Sequence, residues 1–141
     1  MSDEVVLDAS VAADNFFPGP GSVAAGAFVR SGPRMIAPDL IFAEFASVSI
    51  KFVRRDLVPA EVARNAVARL PVLIHEVVPL GDLVQAAYDL AAGQSFSAYD
   101  AFYLALARQR GIPLVTADAK LARRAVDIGM SDHVRLLIPE S

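Results

Sequence analysis

The residues of this sequence that could carry chemistry are four acids spread along the chain. They are Asp8, Glu44, Asp100 and Asp118. Asp8 directly follows the apolar run 5–7, and Asp118 lies two residues beyond Thr116, where a second apolar run ends. Carboxylate oxygens are the ligands that Mg²⁺ and Mn²⁺ prefer in proteins, and such an ion can orient a phosphodiester and activate water. The four acids therefore predict a divalent-metal site suited to phosphate chemistry.

Glu44 is the most informative of the four acids, because helix capping cannot explain it. It lies inside a helix predicted for residues 38–55, and Leu40, Ile41 and Val48 share its face. No Lys or Arg stands three or four residues away on either side. An ionised carboxylate on an apolar stripe must be paired, protonated or bound to metal, since a lone buried charge is very costly.

The other three acids each have a structural explanation that the sequence leaves open. Asp118 could cap a helix, Asp100 could complete a capping box begun by Ser97, and Asp8 could start the turn into a helix capped by Ser10. Two carboxylates about 4 Å apart, however, repel each other by roughly 4 kcal/mol at an effective dielectric near 20. We expect no local cation to neutralise the four acids, so their convergence would favour a bound metal ion.

Strand-like and helix-like segments alternate along most of the chain. The predicted strands are 5–7, 35–37, 73–78, 112–116 and 134–138, and the predicted helices are 10–16, 22–30, 38–55, 59–70, 82–92, 97–110 and 118–128. This alternation predicts one α/β domain over residues 1–141, with a parallel sheet covered on both faces. Ligands of such folds bind beyond the carboxyl ends of the strands at a topological switch point. Asp8 and Asp118 are therefore expected to meet in one crevice.

Composition limits the protein class. The 141 residues are 55% hydrophobic and 21% charged, which is typical of a globular chain. There is no cysteine, so disulfides and thiolate zinc sites are excluded. The longest uncharged stretch, 15–29, is interrupted by prolines and glycines, and the first residues do not resemble a secretory signal. We expect a cytoplasmic protein without a membrane span, and the net charge of −3 argues against a generic nucleic-acid coat.

Four segments of the sequence together resemble a known family. They are Val6-Leu7-Asp8-Ala9-Ser10, Ala37-Pro38-Asp39-Leu40 leading to Glu44, Ser97-Ala98-Tyr99-Asp100-Ala101-Phe102-Tyr103-Leu104-Ala105, and Leu114-Val115-Thr116-Ala117-Asp118. In order, spacing and context they resemble the PIN-domain family, and within it the VapC-type ribonuclease toxins of bacterial toxin–antitoxin pairs. The resemblance covers nearly the whole chain.

The resemblance implies a three-layer α/β/α fold with a short, mainly parallel sheet flanked by helices. It implies a Mg²⁺- or Mn²⁺-dependent endoribonuclease that forms a homodimer and binds an antitoxin whose tail covers the acidic pocket. The catalytic metal ligands that it implies are Asp8, Glu44, Asp100 and Asp118. Ser10 and Thr116 carry over as hydroxyls near the pocket.

Two other functional classes stay open at this point. A phospho-receiver module also gathers acids at strand ends beside a Thr and a Lys, such as Thr116 and Lys120. It needs a phosphoacceptor Asp at the end of a central strand, but the predicted strand 73–78 is followed by Pro79-Leu80-Gly81. The second class is a catalytically silent binding protein that keeps the PIN fold for assembly. The presence of all four acids, above all Glu44, argues against it.

The remaining basic, aromatic and histidine residues are interpreted as structural. Arg123 and Arg124 are assigned to a solvated helix face in preference to an RNA contact. Tyr103 recurs with other aromatics at helical spacing, which is typical of core or dimer contacts. His75 and His133 are far apart and lack the spacing of a metal site.

Overall fold

The computed structural model describes residues 3–139, and a five-stranded parallel sheet forms its centre. The strands are β1 (Glu4–Leu7), β2 (Arg34–Pro38), β3 (Glu76–Val78), β4 (Leu114–Thr116) and β5 (Val134–Leu136). Their order is β3-β2-β1-β4-β5, and each neighbouring pair is parallel. Val6 of the central strand aligns with Ile36 on one side and with Leu114 on the other. The topological switch point therefore lies between β1 and β4.

Helices flank this sheet. Within residues 3–139 they are α1 (Ala9–Phe16), α2 (Ser22–Arg30), α3 (Leu40–Arg54), α4 (Ala60–Leu73), α5 (Val84–Ala91), α6 (Ala98–Arg110) and α7 (Ala119–Asp127), with 3₁₀ turns at Leu80–Asp82 and Ser131–His133. The predicted three-layer α/β/α arrangement with a parallel sheet is confirmed. In the same part of the chain no helix is both long enough and apolar enough to cross a bilayer.

The sheet order also decides one of the open alternatives. In the phospho-receiver arrangement, with order 2-1-3-4-5, the first strand lies between the second and the third. Here β1 lies between β2 and β4, and β3 forms an edge of the sheet. The phospho-receiver alternative is therefore wrong for this chain.

The core fixes the helix that carries Glu44. The ring of Phe45 lies 5.6 Å from the rings of Phe16 and Phe17, and Phe17 also contacts Phe52 at 5.3 Å, measured between ring centroids. Phe45 is almost fully buried. Because these rings pack α3 against the end of α1, they set the rotation of α3 about its axis, and with it the position of the neighbouring residue Glu44.

Some predicted element bounds are wrong. Helix α4 does not end near Leu70 but continues to Leu73, and β3 begins only at Glu76. Pro71 lies in the last turn of α4. A proline lacks the backbone N–H of one helical hydrogen bond, and near the end of a helix this loss does not interrupt it. The predicted helix 82–92 is divided into a 3₁₀ turn and α5, and the predicted strands 112–116 and 134–138 are shorter at one end.

Candidate acidic site

Asp8 lies at the carboxyl end of β1, where it occupies the position before the first residue of α1. Only 7% of the Asp8 surface is exposed. The hydroxyl of Ser10 donates to Asp8 Oδ2 at 2.5 Å, and the hydroxyl of Thr116 donates to the same oxygen at 2.7 Å. Among residues 3–139, no hydrogen bond reaches Asp8 Oδ1. The two hydroxyls therefore orient the carboxylate and leave one of its oxygens available to another partner.

Ser10 and Thr116 also form hydrogen bonds that link the end of β1 to the end of β4. Ser10 Oγ accepts a hydrogen bond from the backbone N–H of Ala117 at 2.9 Å, and Thr116 Oγ1 accepts one from the N–H of Asp118 at 3.0 Å. The prediction that Ser10 caps a helix was wrong, because α1 already begins at Ala9 and the Ser10 hydroxyl makes contacts across the sheet. Both hydroxyls instead donate to Asp8, so their role near a pocket stays a prediction.

Glu44 is half-buried on α3 and has a partner that the sequence did not suggest. The Tyr103 hydroxyl donates to Glu44 Oε1 at 2.6 Å. Tyr103 is fully buried, and burial together with the charges of Asp8 and Glu44 raises the pKa of its phenol, so the hydroxyl stays protonated. Tyr103 was predicted only as a core or dimer residue. One signal was available, since Tyr103 stands three residues after Asp100 and so shares its helix face.

Asp118 is exposed at the start of α7, where it acts as a helix cap. Its Oδ1 accepts hydrogen bonds from the backbone N–H groups of Lys120 at 2.9 Å and Leu121 at 3.3 Å. The capping explanation is therefore confirmed for Asp118. Capping and metal binding do not exclude each other, because a carboxylate has two oxygens.

Asp100 is half-buried in the first turn of α6 and is paired with a cation. The predicted cap of this helix is confirmed, because Ser97 Oγ accepts from the backbone N–H of Asp100 at 3.3 Å. The Asp100 carboxylate, in contrast, accepts at Oδ2 from Arg124 Nη1 of α7 at 3.1 Å. The prediction that no cation neutralises the four acids was therefore wrong for Asp100. The sequence alone assigns Arg124 to a solvated face, because its contact with Asp100 joins residues 24 positions apart and no local pattern indicates it.

The acids influence one another electrostatically. Burial raises the pKa of the Asp8 carboxyl, and the charges of Asp100 and Asp118 raise it further, although the two hydroxyls oppose this. Burial also raises the pKa of Glu44, with the charges of Asp8 and Asp100 adding to the effect and the Tyr103 hydroxyl opposing it. The structure thus gathers the four predicted acids into one region of negative charge at the switch point.

Burial raises the pKa of Asp100 as well. The charge of Arg124 lowers this pKa and the charge of Asp118 raises it, so the ion pair offsets only part of the cost of burial. Three neighbouring acids with raised pKa values are typical of a functional site, because a fold gains no stability from such crowding.

Comparisons with known proteins identify the family. The sequence model of the PIN domain matches residues 5–127. The chain belongs to the PIN-domain family. It is 35% identical over 125 residues to "Ribonuclease VapC1" of two Mycobacterium tuberculosis strains, CDC 1551 and H37Rv, and the match covers 85% of this chain and 90% of each relative. The resemblance to PIN-domain proteins of the VapC type is confirmed.

Solved structures share the fold of this PIN domain. The M. tuberculosis toxin VapC20 superposes with a TM-score of 0.66 at 20% identity, covering 84% of this chain and 93% of that one. A toxin–antitoxin complex from Klebsiella pneumoniae gives a TM-score of 0.63 at 15% identity, with 96% and 99% covered. FitAcB from Neisseria gonorrhoeae gives 0.64 at 19% identity, with 86% and 93% covered. At these identities the similarity establishes the fold.

The donor set of this PIN domain suits a hard divalent cation, because it consists of carboxylate oxygens. Within residues 3–139, no three acidic or histidine side chains are grouped closely enough to hold an ion together. Each of three acids has a partner in this structure: Tyr103 engages Glu44, Arg124 engages Asp100 and the start of α7 engages Asp118. Joint binding of an ion would require some of these carboxylates to turn from their present partners.

Proposed function

We propose that this PIN-domain protein is an endoribonuclease, the toxin of a toxin–antitoxin pair, which cleaves RNA phosphodiesters with the help of Mg²⁺ or Mn²⁺. The ligands that we propose are Asp8, Glu44, Asp100 and Asp118. The observation that supports the proposal is that Asp8 and Asp118 follow the two strands at the switch point, β1 and β4, while Glu44 and Asp100 lie near enough for their charges and that of Asp8 to influence one another. The 35% identity to a protein named as a ribonuclease over most of both chains supports the substrate class.

The chain's own residues prepare this site in distinct ways. Ser10 and Thr116 hold the Asp8 carboxylate through one oxygen, and Tyr103 holds Glu44 through a buried hydroxyl. Oriented carboxylates lose less conformational freedom when they bind a ligand, which is how supporting hydrogen bonds strengthen a metal site. When bound, a divalent ion would supply charge neutralisation and Lewis-acid polarisation of the phosphodiester.

A catalytically silent binding protein is the remaining alternative, and the structure offers it little support. Such a protein would have no use for a half-buried glutamate held by a buried tyrosine beside a second buried acid. Crowded carboxylates destabilise a fold unless a ligand offsets their repulsion. The mutual influence of these acids on their pKa values favours an enzyme.

RNA cleavage by the purified protein tests the proposal. With Mg²⁺ or Mn²⁺ it should cut a circular single-stranded RNA, because an endonuclease needs no free end. A chelator should abolish the cleavage, since the acids then lack the ion that screens their charge from the phosphate. Gel electrophoresis of the linear products measures the reaction, and a circular DNA of the same sequence is the control for substrate class. Cleavage that persists in excess chelator, or RNA left intact with every divalent ion, would contradict the proposal.

We also propose that the chain binds an antitoxin, since one structural neighbour is a toxin–antitoxin complex, and that it forms a homodimer. Apolar side chains on the helix surfaces support a protein partner. An apolar groove of about 480 Å³ between α3 and α4 is lined by residues that include Ser49, Ile50, Val53, Ala63 and Val67. Half of Ile50 and 41% of Val67 are exposed in the single chain. Contiguous exposed apolar surface is typical of interaction sites.

The homodimer can be tested without an antitoxin. Light scattering on a size-exclusion column should give twice the 15.0 kDa mass of one chain at micromolar concentration, because association removes apolar helix surface from water. Dilution serves as the control, since a real equilibrium shifts toward monomer at low concentration. A mass of one chain throughout the micromolar range would show that the dimer proposal is wrong.

A further inference from the structure

One basic side chain reaches the acidic site from α7. Arg124 Nη1 lies 3.1 Å from Asp100 Oδ2, and 39% of the Arg124 side chain and 21% of the Asp100 side chain are exposed. The other ion pairs found in residues 3–139 join Arg34 or Arg110 to glutamates of β1 and β3 and involve none of the four site acids. Within residues 3–139, Arg124 is thus the one basic residue found in an ion pair with a site acid.

We propose that Arg124 changes its anionic partner during the reaction. It pairs with Asp100 while no metal is bound, and it binds a phosphate of the RNA once a divalent ion has taken Asp100. This inference rests on the proposed function, because it assumes that Asp100 binds metal and that RNA is the substrate. Arg124 then has two roles, as a counter-ion of the resting site and as a substrate-positioning residue.

The first step is a competition between two cations for one carboxylate. Arg124 uses Asp100 Oδ2, an oxygen that a metal ligand would need. A divalent ion at Asp100 also repels the guanidinium beside it. Because more than a third of the Arg124 side chain is exposed, the guanidinium has solvent into which it can turn. Metal binding should therefore displace Arg124 from Asp100, and Arg124 should weaken metal binding.

The second step follows from the position of the substrate. An RNA phosphate acted on by an ion at Asp100 must lie beside that carboxylate, and so within reach of the guanidinium that now contacts it. The planar guanidinium presents several N–H donors in a geometry that matches phosphate oxygens. A guanidinium displaced from Asp100 therefore meets a better partner than water at the place where the phosphate binds.

The first arm of the test measures metal binding without RNA. Mn²⁺ is titrated calorimetrically into the wild type, Arg124→Gln and the matched control Arg123→Gln, which removes one charge from an exposed neighbour on the same helix. Arg124→Gln should bind Mn²⁺ at least about fivefold more tightly, the lower end of typical couplings between two ligands. Arg123→Gln should stay close to wild type. Equal affinities for the two variants, or weaker binding by Arg124→Gln, would overturn the competition.

The second arm measures cleavage of a short single-stranded RNA at saturating Mn²⁺. Although Arg124→Gln binds the ion more tightly, its kcat/KM should fall about tenfold or more, as expected from the loss of a charge-assisted hydrogen bond. Its kcat/KM should also depend less steeply on salt, because one phosphate contact is missing. Arg123→Gln should keep both values. A kcat/KM of Arg124→Gln that stays at the wild-type value would overturn the phosphate assignment.

The two arms separate failure of this inference from failure of the proposed function. If the wild type binds no Mn²⁺ and cuts no RNA, the proposed nuclease site is wrong and this inference falls with it. If the wild type binds Mn²⁺ and cuts RNA, but Arg124→Gln behaves like Arg123→Gln, only the role of Arg124 is wrong. Melting curves of both variants show whether each is folded, so a loss of activity cannot be mistaken for unfolding.

Discussion

Replacing Asp8, Glu44 or Asp100 by the matching amide should lower the rate of RNA cleavage by about 100-fold or more, equivalent to roughly 2.7 kcal/mol of transition-state stabilisation. Each change keeps the size of the side chain and removes one negative charge from the proposed metal site. The loss should be large because the ion must then balance its charge with fewer carboxylates at a partly buried site. Initial rates at saturating Mg²⁺ or Mn²⁺ measure the effect.

Two further variants make this experiment specific. Asp89→Asn is the matched control, because Asp89 is exposed on α5 and accepts a hydrogen bond from Gln85 outside the site. It should cleave RNA at the wild-type rate. Asp118→Asn should lose less than the other site variants, since Asp118 is exposed, water screens its charge, and an amide oxygen can still cap α7. Wild-type cleavage by Asp8→Asn, Glu44→Gln or Asp100→Asn would show that the acid concerned is misassigned.

Without metal, the protein should be less stable at about pH 7.5 than at about pH 5.5. Burial and mutual repulsion raise the pKa values of Asp8, Glu44 and Asp100 in the folded state. A carboxyl whose pKa is raised holds its proton more tightly in the folded than in the unfolded chain, where its pKa is about 4. The associated stability is present at low pH and is lost as the pH rises through the folded pKa.

Glu76 does not obscure this trend. The Arg110 side chain lowers the pKa of Glu76, with a smaller contribution from Arg34. A lowered carboxyl pKa contributes stability above the unfolded value of about 4, and that contribution disappears only as the pH falls below it. The window between about pH 5.5 and 7.5 therefore reports the acids whose pKa values are raised, and these include Asp14 outside the site, where burial raises the pKa, so only the response to added metal is specific to the site.

Added Mn²⁺ should reverse the loss of stability at the higher pH. A ligand present at about 100 times its dissociation constant stabilises the folded state by roughly 2.7 kcal/mol. For a domain of this size, that corresponds to a rise in melting temperature on the order of 10 °C. Melting curves with chelator and with Mn²⁺, recorded across the pH range, measure both effects. If the melting temperature of the wild type does not respond to metal at any pH, the four acids do not form one site.

Asp8→Asn is the variant best suited to isolate the cost of the crowded charges. The amide oxygen can still accept from Ser10 and Thr116, while the buried charge is removed. Metal-free Asp8→Asn should therefore melt above the wild type at about pH 7.5 and respond less to Mn²⁺. Asp100→Asn should gain less, because it also loses the ion pair with Arg124. An Asp8→Asn variant that melts below the wild type would contradict this account of the site.

The sequence by itself determined the features that depend on neighbouring residues. The alternation of apolar runs and helical segments predicted the parallel sheet, since period and length of a segment follow from local backbone geometry. Ser97 and Asp118 were recognised as helix caps because a cap bonds to N–H groups only two or three residues away. Glu44 was selected because its helix offers it no cation at the neighbouring turns.

Only the tertiary structure decided which side chains hold the acids. Tyr103 reaches Glu44 across 59 residues of chain, and Arg124 reaches Asp100 across 24. Ser10 contacts the backbone of Ala117 across 107 residues, which is why its role as a helix cap was predicted wrongly. These contacts depend on the strand order, which sets β4 beside β1, and on the tertiary arrangement that brings Arg124 of α7 to Asp100 of α6. No local sequence pattern predicts the strand order or this arrangement of helices. Both result from burying apolar surfaces that distant parts of the chain contribute.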